Sequence, residues 1–390
     1  MSTLGVLVLN RWRFIAGVLA ALVTGLLLTP PAHAAASPTP ISTTQFALSA
    51  DYNRYDTLLA QLDARLPKVT VAQVMDTANH DRQPLCHVSG LSGPVVGFCW
   101  TSSDDAHCNN VPQGITTTRD ATGGEYQGRQ LVVVSWYYQD ECGGATTRSR
   151  LTLVDWDADH PNRYRKVLLV EPVSTAQGPS FRNIPIHAGG ISWYGDYLYV
   201  ADTWNGMRVF DMRRIWEVDT TKDGIGLQPD GRYGAHNYRY VLPQVGMITD
   251  VGSTQLRWST IGLDRAQPSI VMGEYETDRS TYAVRFPLDP NTHRFTVSSD
   301  GLVHATQALS VPYVGVQGVV SHNGRWWFAS SREKQLHYWV PGSAARTYSW
   351  VSWCESLSYW EDPNKPDLLW SLRENAGDRS VFAVEQQYYD

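Results

Sequence analysis

One phrase recurs along this chain and limits its fold more than any other feature. His187 to Asp202 reads as strand, tight turn, strand, and Val316 to Ser331 repeats it, with Gly190 over Gly318 and Gly195 over Gly324 after one inserted residue. A polar turn and a third alternating strand follow each copy, Met207–Asp211 in one and Gln335–Trp339 in the other. A three-strand unit with one apolar face cannot bury that face alone, so its repetition points to copies stacked side by side.

Three looser copies are present. The first runs from Pro112–Thr117 through Leu131–Trp136 to Leu151–Trp156. Another runs from Trp258–Ile261 through Ser269–Glu274 to Tyr282–Phe286, and the last from Cys354–Leu357 through Leu368–Leu372 to Val381–Glu385. Residues 163–170, 238–242 and 346–350 supply candidate fourth, outer strands. The expected fold class is all-β, a β-propeller over residues 86–390 with five blades. Uneven spacing between copies leaves room for a sixth. An irregular β-sandwich is the competing architecture, but it does not require one phrase to recur.

The N-terminus has a different pattern. Arg11 and Arg13 precede an apolar run from Phe14 to Leu28 that closes on Pro30, Pro31 and the small-residue site Ala32-His33-Ala34. This reads as an export signal over residues 1–34, cleaved after Ala34, and the run is short for a membrane span. A secreted, extracellular protein with no span after signal removal is expected, as a monomer. Loss of Arg11 and Arg13 takes the net charge from −6 to −8, which offers nucleic acid no electrostatic footprint. Residues 35–48, rich in Ser, Thr and Pro, read as a disordered linker. Residues 49–80 read as a short helical cap, with Ser49 as N-cap, Tyr55, Leu58, Leu59, Leu62 and Leu66 at helical spacing, and a second helix from about Val71 to Ala78.

Four of the five cysteines, Cys86, Cys99, Cys108 and Cys142, fall in one stretch, and in an oxidising compartment they read as two disulfides. Three pairings are open, of which the most local is Cys86 with Cys99 and Cys108 with Cys142. Cys354 is left over. A zinc site drawing on His87 and His107 would lack the usual Cys-x-x-Cys pair.

The string from His187 to Phe210, with Pro112-Gln113-Gly114, Val316-Gln317-Gly318, Leu369–Leu372 and Val381–Val384, resembles secreted actinomycete-type β-propeller proteins without an assigned function. The resemblance implies the fold and export, and it brings no catalytic residues.

Function must therefore be sought at the axis, where the residues opening each inner strand would face one another: Gln113, Gly189 with His187, Ser259, Gln317 and Glu355. Such a ring could hold a polar ligand, such as a glycan or a segment of a protein partner. It could also bind Ca²⁺ with Glu355 as ligand, or merely satisfy its own polar groups through water. A hydrolase would use Glu355 and His187 as acid and base, but glycoside cleavage needs a second carboxylate, for which Asp202, Asp250, Asp264 and Glu274 are candidates. Trp204 and Trp360, in turns between strands, are the aromatic residues placed to stack on a sugar. Asp155, Asp157 and Asp159 alternate as in a calcium loop but lack its Gly and Glu, and Ser331 to Lys334 falls on a hairpin turn where a Ser-x-x-Lys nucleophile would need a helix start. An extracellular binding module for a glycan, an envelope component or a protein is the favoured reading, and an extracellular glycosidase-like hydrolase the alternative.

Overall fold

The computed structural model describes residues 33–157 and 162–390; the expected export signal lies outside them except for His33 and Ala34, as do Asp159 and His160. Four antiparallel meanders of four strands follow one another. The first comprises Asn110–Thr117, Leu131–Gln139, Thr146–Asp155 and Arg163–Thr175, and the second Ile191–Tyr194, Tyr197–Asp202, Gly206–Asp211 and Tyr240–Asp250. Thr260–Asp264, Ser269–Gly273, Thr281–Pro287 and Gln307–Val311 make the third. The fourth is Val316–His322, Arg325–Ser330, Gln335–Trp339 and Ala345–Ser349.

A fifth meander, Cys354–Trp360, Leu368–Arg373 and Ser380–Glu385, takes its outer strand from the other end of the chain: Val95–Cys99 pairs with it from Val384 to Ser380. The last unit is thus closed by residues that precede the first. The opening strand of each meander touches that of the next, and Cys354–Trp360 returns to touch Asn110–Thr117, so the inner strands form a closed ring. Radial meanders on a closed ring make the fold a β-propeller, as the recurring phrase implied.

Glycine explains how tightly the ring winds. An added Cβ at Gly190 would stand 2.2 Å from the Ile261 nitrogen, at Gly262 2.2 Å from the Val319 oxygen, and at Gly318 2.8 Å from the Ser356 carbonyl carbon. Backbone meets backbone at these seams, where no side chain fits. Farther out the wedge widens and aromatic residues fill it: Trp136, Trp193, Trp258, Trp326 and Trp370 are fully buried.

The N-terminal segment departs from expectation. Residues 35–48 were expected to be disordered, yet Thr39–Pro40 pairs with Leu309 and Ser310 on the third meander, and Ala47–Asp51 pairs with Met247–Asp250 on the second. An edge strand needs backbone partners rather than a core of its own, so polar composition did not forbid it. Ser49 lies within the second of these strands and caps no helix. The first helix is Asp56–Asp63, burying Leu59 and Leu62, and the second, Val71–Asp76, is held by a capping box between Thr70 and Gln73. The first packs on outer strands of the first two meanders and the second on that of the first, so the residues before Cys86 are stitched along the sheets. His33–Ala35 lies along Ala345–Thr347; cleavage after Ala34 would remove two of its three residues.

Two disulfides join Cys86 to Cys99 and Cys108 to Cys142, with Cα atoms 5.9 and 5.3 Å apart. The first ties the closing strand to the chain before it, and Cys354 is free and buried on the fifth inner strand. No helix among the described residues is long and apolar enough to cross a membrane.

Candidate functional site

Several inner strands carry an irregularity near their first residues. Register slips fall between Pro112 and Ile115, between Val316 and Gly318, and between Glu355 and Ser358, while Ala188 and Ser356 adopt positive φ. A bulge re-aims the side chains around it, here towards one end of the channel. A cavity of about 520 Å³ opens there, lined by Gln113, His187, Ser259, Gln317, Trp204 and Glu374 among others. It is of the size expected of ligand pockets, roughly 300–1,000 Å³. Five of the residues singled out from sequence, Gln113, His187, Ser259, Gln317 and Trp204, therefore meet in one place.

Two do not line it. Trp360 is buried, packed between Trp370 and the Arg119 guanidinium, because it ends the fifth inner strand, not a turn, and faces the seam between the fifth and first meanders. Glu355 is only 1 % exposed and lies behind the cavity wall, where Gln317 Nε2 donates to its Oε1 at 2.8 Å. Enclosed in this way, it can serve neither as a calcium ligand at the channel mouth nor as an acid reaching a substrate directly. Among the described residues, no three His, Cys, Asp or Glu side chains group closely enough to hold a metal.

Sequence reasoning missed Glu374. It follows the second strand of the fifth meander, lines the cavity, accepts from Gln113 Nε2 at 2.7 Å, and lies within hydrogen-bond reach of the Glu355 carboxyl. Burial holds both carboxyls above the usual range, and Glu374 raises Glu355 further, so the pair keeps a proton that exposed glutamates would release. Burial and the same two carboxyls push the Tyr137 hydroxyl up to about 12. The floor of the cavity is thus built of Gln113, Gln317 and Glu374, with the Glu355 carboxyl enclosed behind them.

The other carboxylates considered from sequence serve structure. Asp202 lines the cavity but is held by Arg208 at 2.9 Å, and Asp250 accepts from the Leu256 backbone. Glu274 accepts from the Arg257 and Tyr282 backbone nitrogens, and Asp264 is buried at the far end of its inner strand. At the rim Trp204 is 58 % exposed, and Arg257 lies between its ring and that of Tyr275, 5.6 and 5.3 Å from the two centroids. His187, also exposed, leans on Tyr137 with ring centroids 4.5 Å apart.

The buried pair makes a pH prediction. The folded chain favours a proton on this pair that the unfolded chain releases above about pH 4.5, so the pair's contribution to stability is fully present below that value and is lost as pH rises through the raised range of the pair. Glu355→Gln keeps the shape, accepts from Gln317 and donates to Glu374. We expect its melting temperature to exceed that of the parent at pH 7–8, with the gap closing towards pH 4. A difference that stays constant across this range would rule out the shared proton.

Comparison with known proteins gives one family match: the LVIVD repeat, a β-propeller repeat, over residues 187–212, which is the inner three-strand phrase of the second meander. Two solved structures are similar in outline. One is the Myceliophteria thermophila Cps50 (Swd1) β-propeller domain, at 9% identity over 70% of this chain and 96% of that one, with a TM-score of 0.33. The other is a streptogramin B lyase, at 12% identity over 74% and 96%, with a TM-score of 0.32. No curated protein matches the sequence.

Proposed function

We propose that this chain is an exported, five-bladed β-propeller that binds carbohydrate at the mouth of its channel. The observation that carries this reading is Trp204, largely exposed at the rim of a cavity whose floor is polar. An exposed indole stacks on the C–H face of a sugar ring, and amides, hydroxyls and an imidazole below it match the donors and acceptors of sugar hydroxyls. Export is supported by the apolar N-terminal run with its Ala-x-Ala site and by the two disulfides, which fit an oxidising compartment.

Hydrolysis of a glycosidic bond fits less well. Retaining enzymes hold their carboxyls about 5–5.5 Å apart and inverting enzymes about 6.5–9.5 Å apart, both facing the substrate. Glu355 and Glu374 are close enough to hydrogen-bond, and Glu355 does not reach the cavity.

The test is a screen of the mature protein against cell-wall and plant polysaccharides, scoring retention and product release together. Retention without release is expected. Trp204→Ala should weaken binding about tenfold, the value of one good aromatic contact, while leaving the melting temperature within about 1 °C because the ring is mostly in solvent. Equal binding by parent and variant would remove Trp204 from the site, and sugar release would favour an enzyme.

A further inference from the structure

A second cavity, of about 260 Å³, shares no lining residue with the channel mouth. Four segments build it: Arg150 from the third strand of the first meander, Arg165 and Lys166 from the fourth, Asn79 and His80 from the N-terminal segment, and residues 236–239 before the outer strand of the second meander. Its walls carry Arg150, Arg165, Lys166 and Arg239, with His80 and His236, and no lining residue is Asp or Glu. Four fixed cations converge on one concavity of a chain whose net charge is −6.

The carboxylates behind the wall do not use up this charge. Asp104 accepts from Lys166 at 2.6 Å and lies 3.5 Å from Arg150, and Glu217 accepts from Arg239 at 2.8 Å. Among the described residues, Arg165 donates only to the Thr77 carbonyl, at 3.0 Å. Arg150 is buried: its guanidinium lies over Trp136, Nη1 donates to the Tyr238 hydroxyl at 3.3 Å, and Nη2 faces Asp104 Oδ1 at 3.5 Å. Asp104 is thus shared between Lys166 and Arg150, so the four cations lining the cavity meet two carboxylates and keep a net positive charge that an anion in the cavity would balance.

We propose that this cavity binds a tetrahedral oxyanion, a phosphoryl group in particular. Planar forks from several arginines and a lysine point charge are the usual means of holding one, and the cavity is small enough to exclude a nucleic acid duplex. The group can arrive as free phosphate or as a phosphate monoester on a larger molecule, and the chemistry at the cavity is the same for both.

Thermal unfolding of the full mature chain with inorganic phosphate, glycerol 3-phosphate or sulfate, each against sodium chloride at equal ionic strength, tests the proposal. A saturable rise of about 2 °C or more with phosphate is expected, since a ligand that binds only the folded state stabilises it by mass action. An equal rise with glycerol 3-phosphate identifies a monoester site, and a rise with phosphate alone identifies a free-anion site. Replacing Arg150 threatens the fold, so Arg165→Gln and Arg239→Gln, both partly exposed, carry the mutational arm; together they should weaken phosphate binding by about tenfold or more. No saturable rise with any of the three anions, or a double variant that binds as the parent does, would overturn the proposal. Neither result bears on glycan retention, which depends on Trp204.

Discussion

Arg285→Leu should lower the stability of the folded chain by about 3–5 kcal/mol, the cost of stranding a buried charge. The stranded group is Asp264, whose side chain is fully buried and lies 2.9 Å from Arg285 Nη1. Arg285 also donates to the hydroxyls of Ser269 and Ser321, both at 2.6 Å, to Gln307 Oε1 at 3.2 Å, and stacks over Trp326. Ser321 in turn donates to Asp264 at 2.9 Å, so one network joins the third meander to the fourth. Chemical denaturation measures the cost, and the double replacement Arg285→Leu with Asp264→Leu separates its causes. If the uncompensated carboxylate dominates, the double variant should be more stable than the single one, because no charge then remains in the seam. A single variant that loses less than about 1 kcal/mol would mean that water reaches Asp264 and that the network is not sealed.

The second large effect is steric. Gly262→Ala adds one methyl group 2.2 Å from the Val319 carbonyl oxygen, and the atoms in its way are backbone on both sides. Neither strand can yield without opening the ring, so the loss should reach about 3 kcal/mol, at the upper end of what overpacking costs. Gly124→Ala is the control: nothing stands within 4 Å of its Cβ, and the change should stay within about 0.5 kcal/mol. Equal unfolding midpoints for the two variants would show that the inner strands are not pressed together as described.

The recurring phrase was legible because alternation and turn residues are local, and every inner strand repeats them. Outer strands were less visible. Residues 163–170, 238–242 and 346–350 overlap three of those observed, but Gln307–Val311 and Val95–Cys99 were not foreseen. The second of these pairs with Ser380–Val384 across almost the whole chain, and no local pattern announces a partner at that distance. Residues 35–48 misled for a related reason: their composition says that they cannot form a core, whereas their backbone only had to find a sheet edge.

At the channel mouth, Gln113, His187, Ser259 and Gln317 could be named from their place in the repeat, because equivalent positions on radial units converge. Glu374 occupies a second equivalent position, the end of the second strand, where Asp202 and Glu274 stand in the second and third meanders. Carrying that comparison to the fifth copy would have found it.

The amino-acid order alone settled that the chain builds repeated β units and that a few polar residues would be gathered near their axis, since both follow from short-range periodicity. Which carboxyls meet, which tryptophan stays in water and where four cations collect were decided only when strands distant in sequence were brought edge to edge. Burial, and with it the upward push on the Glu355 and Glu374 carboxyls, is a property of neighbours that no stretch of sequence contains.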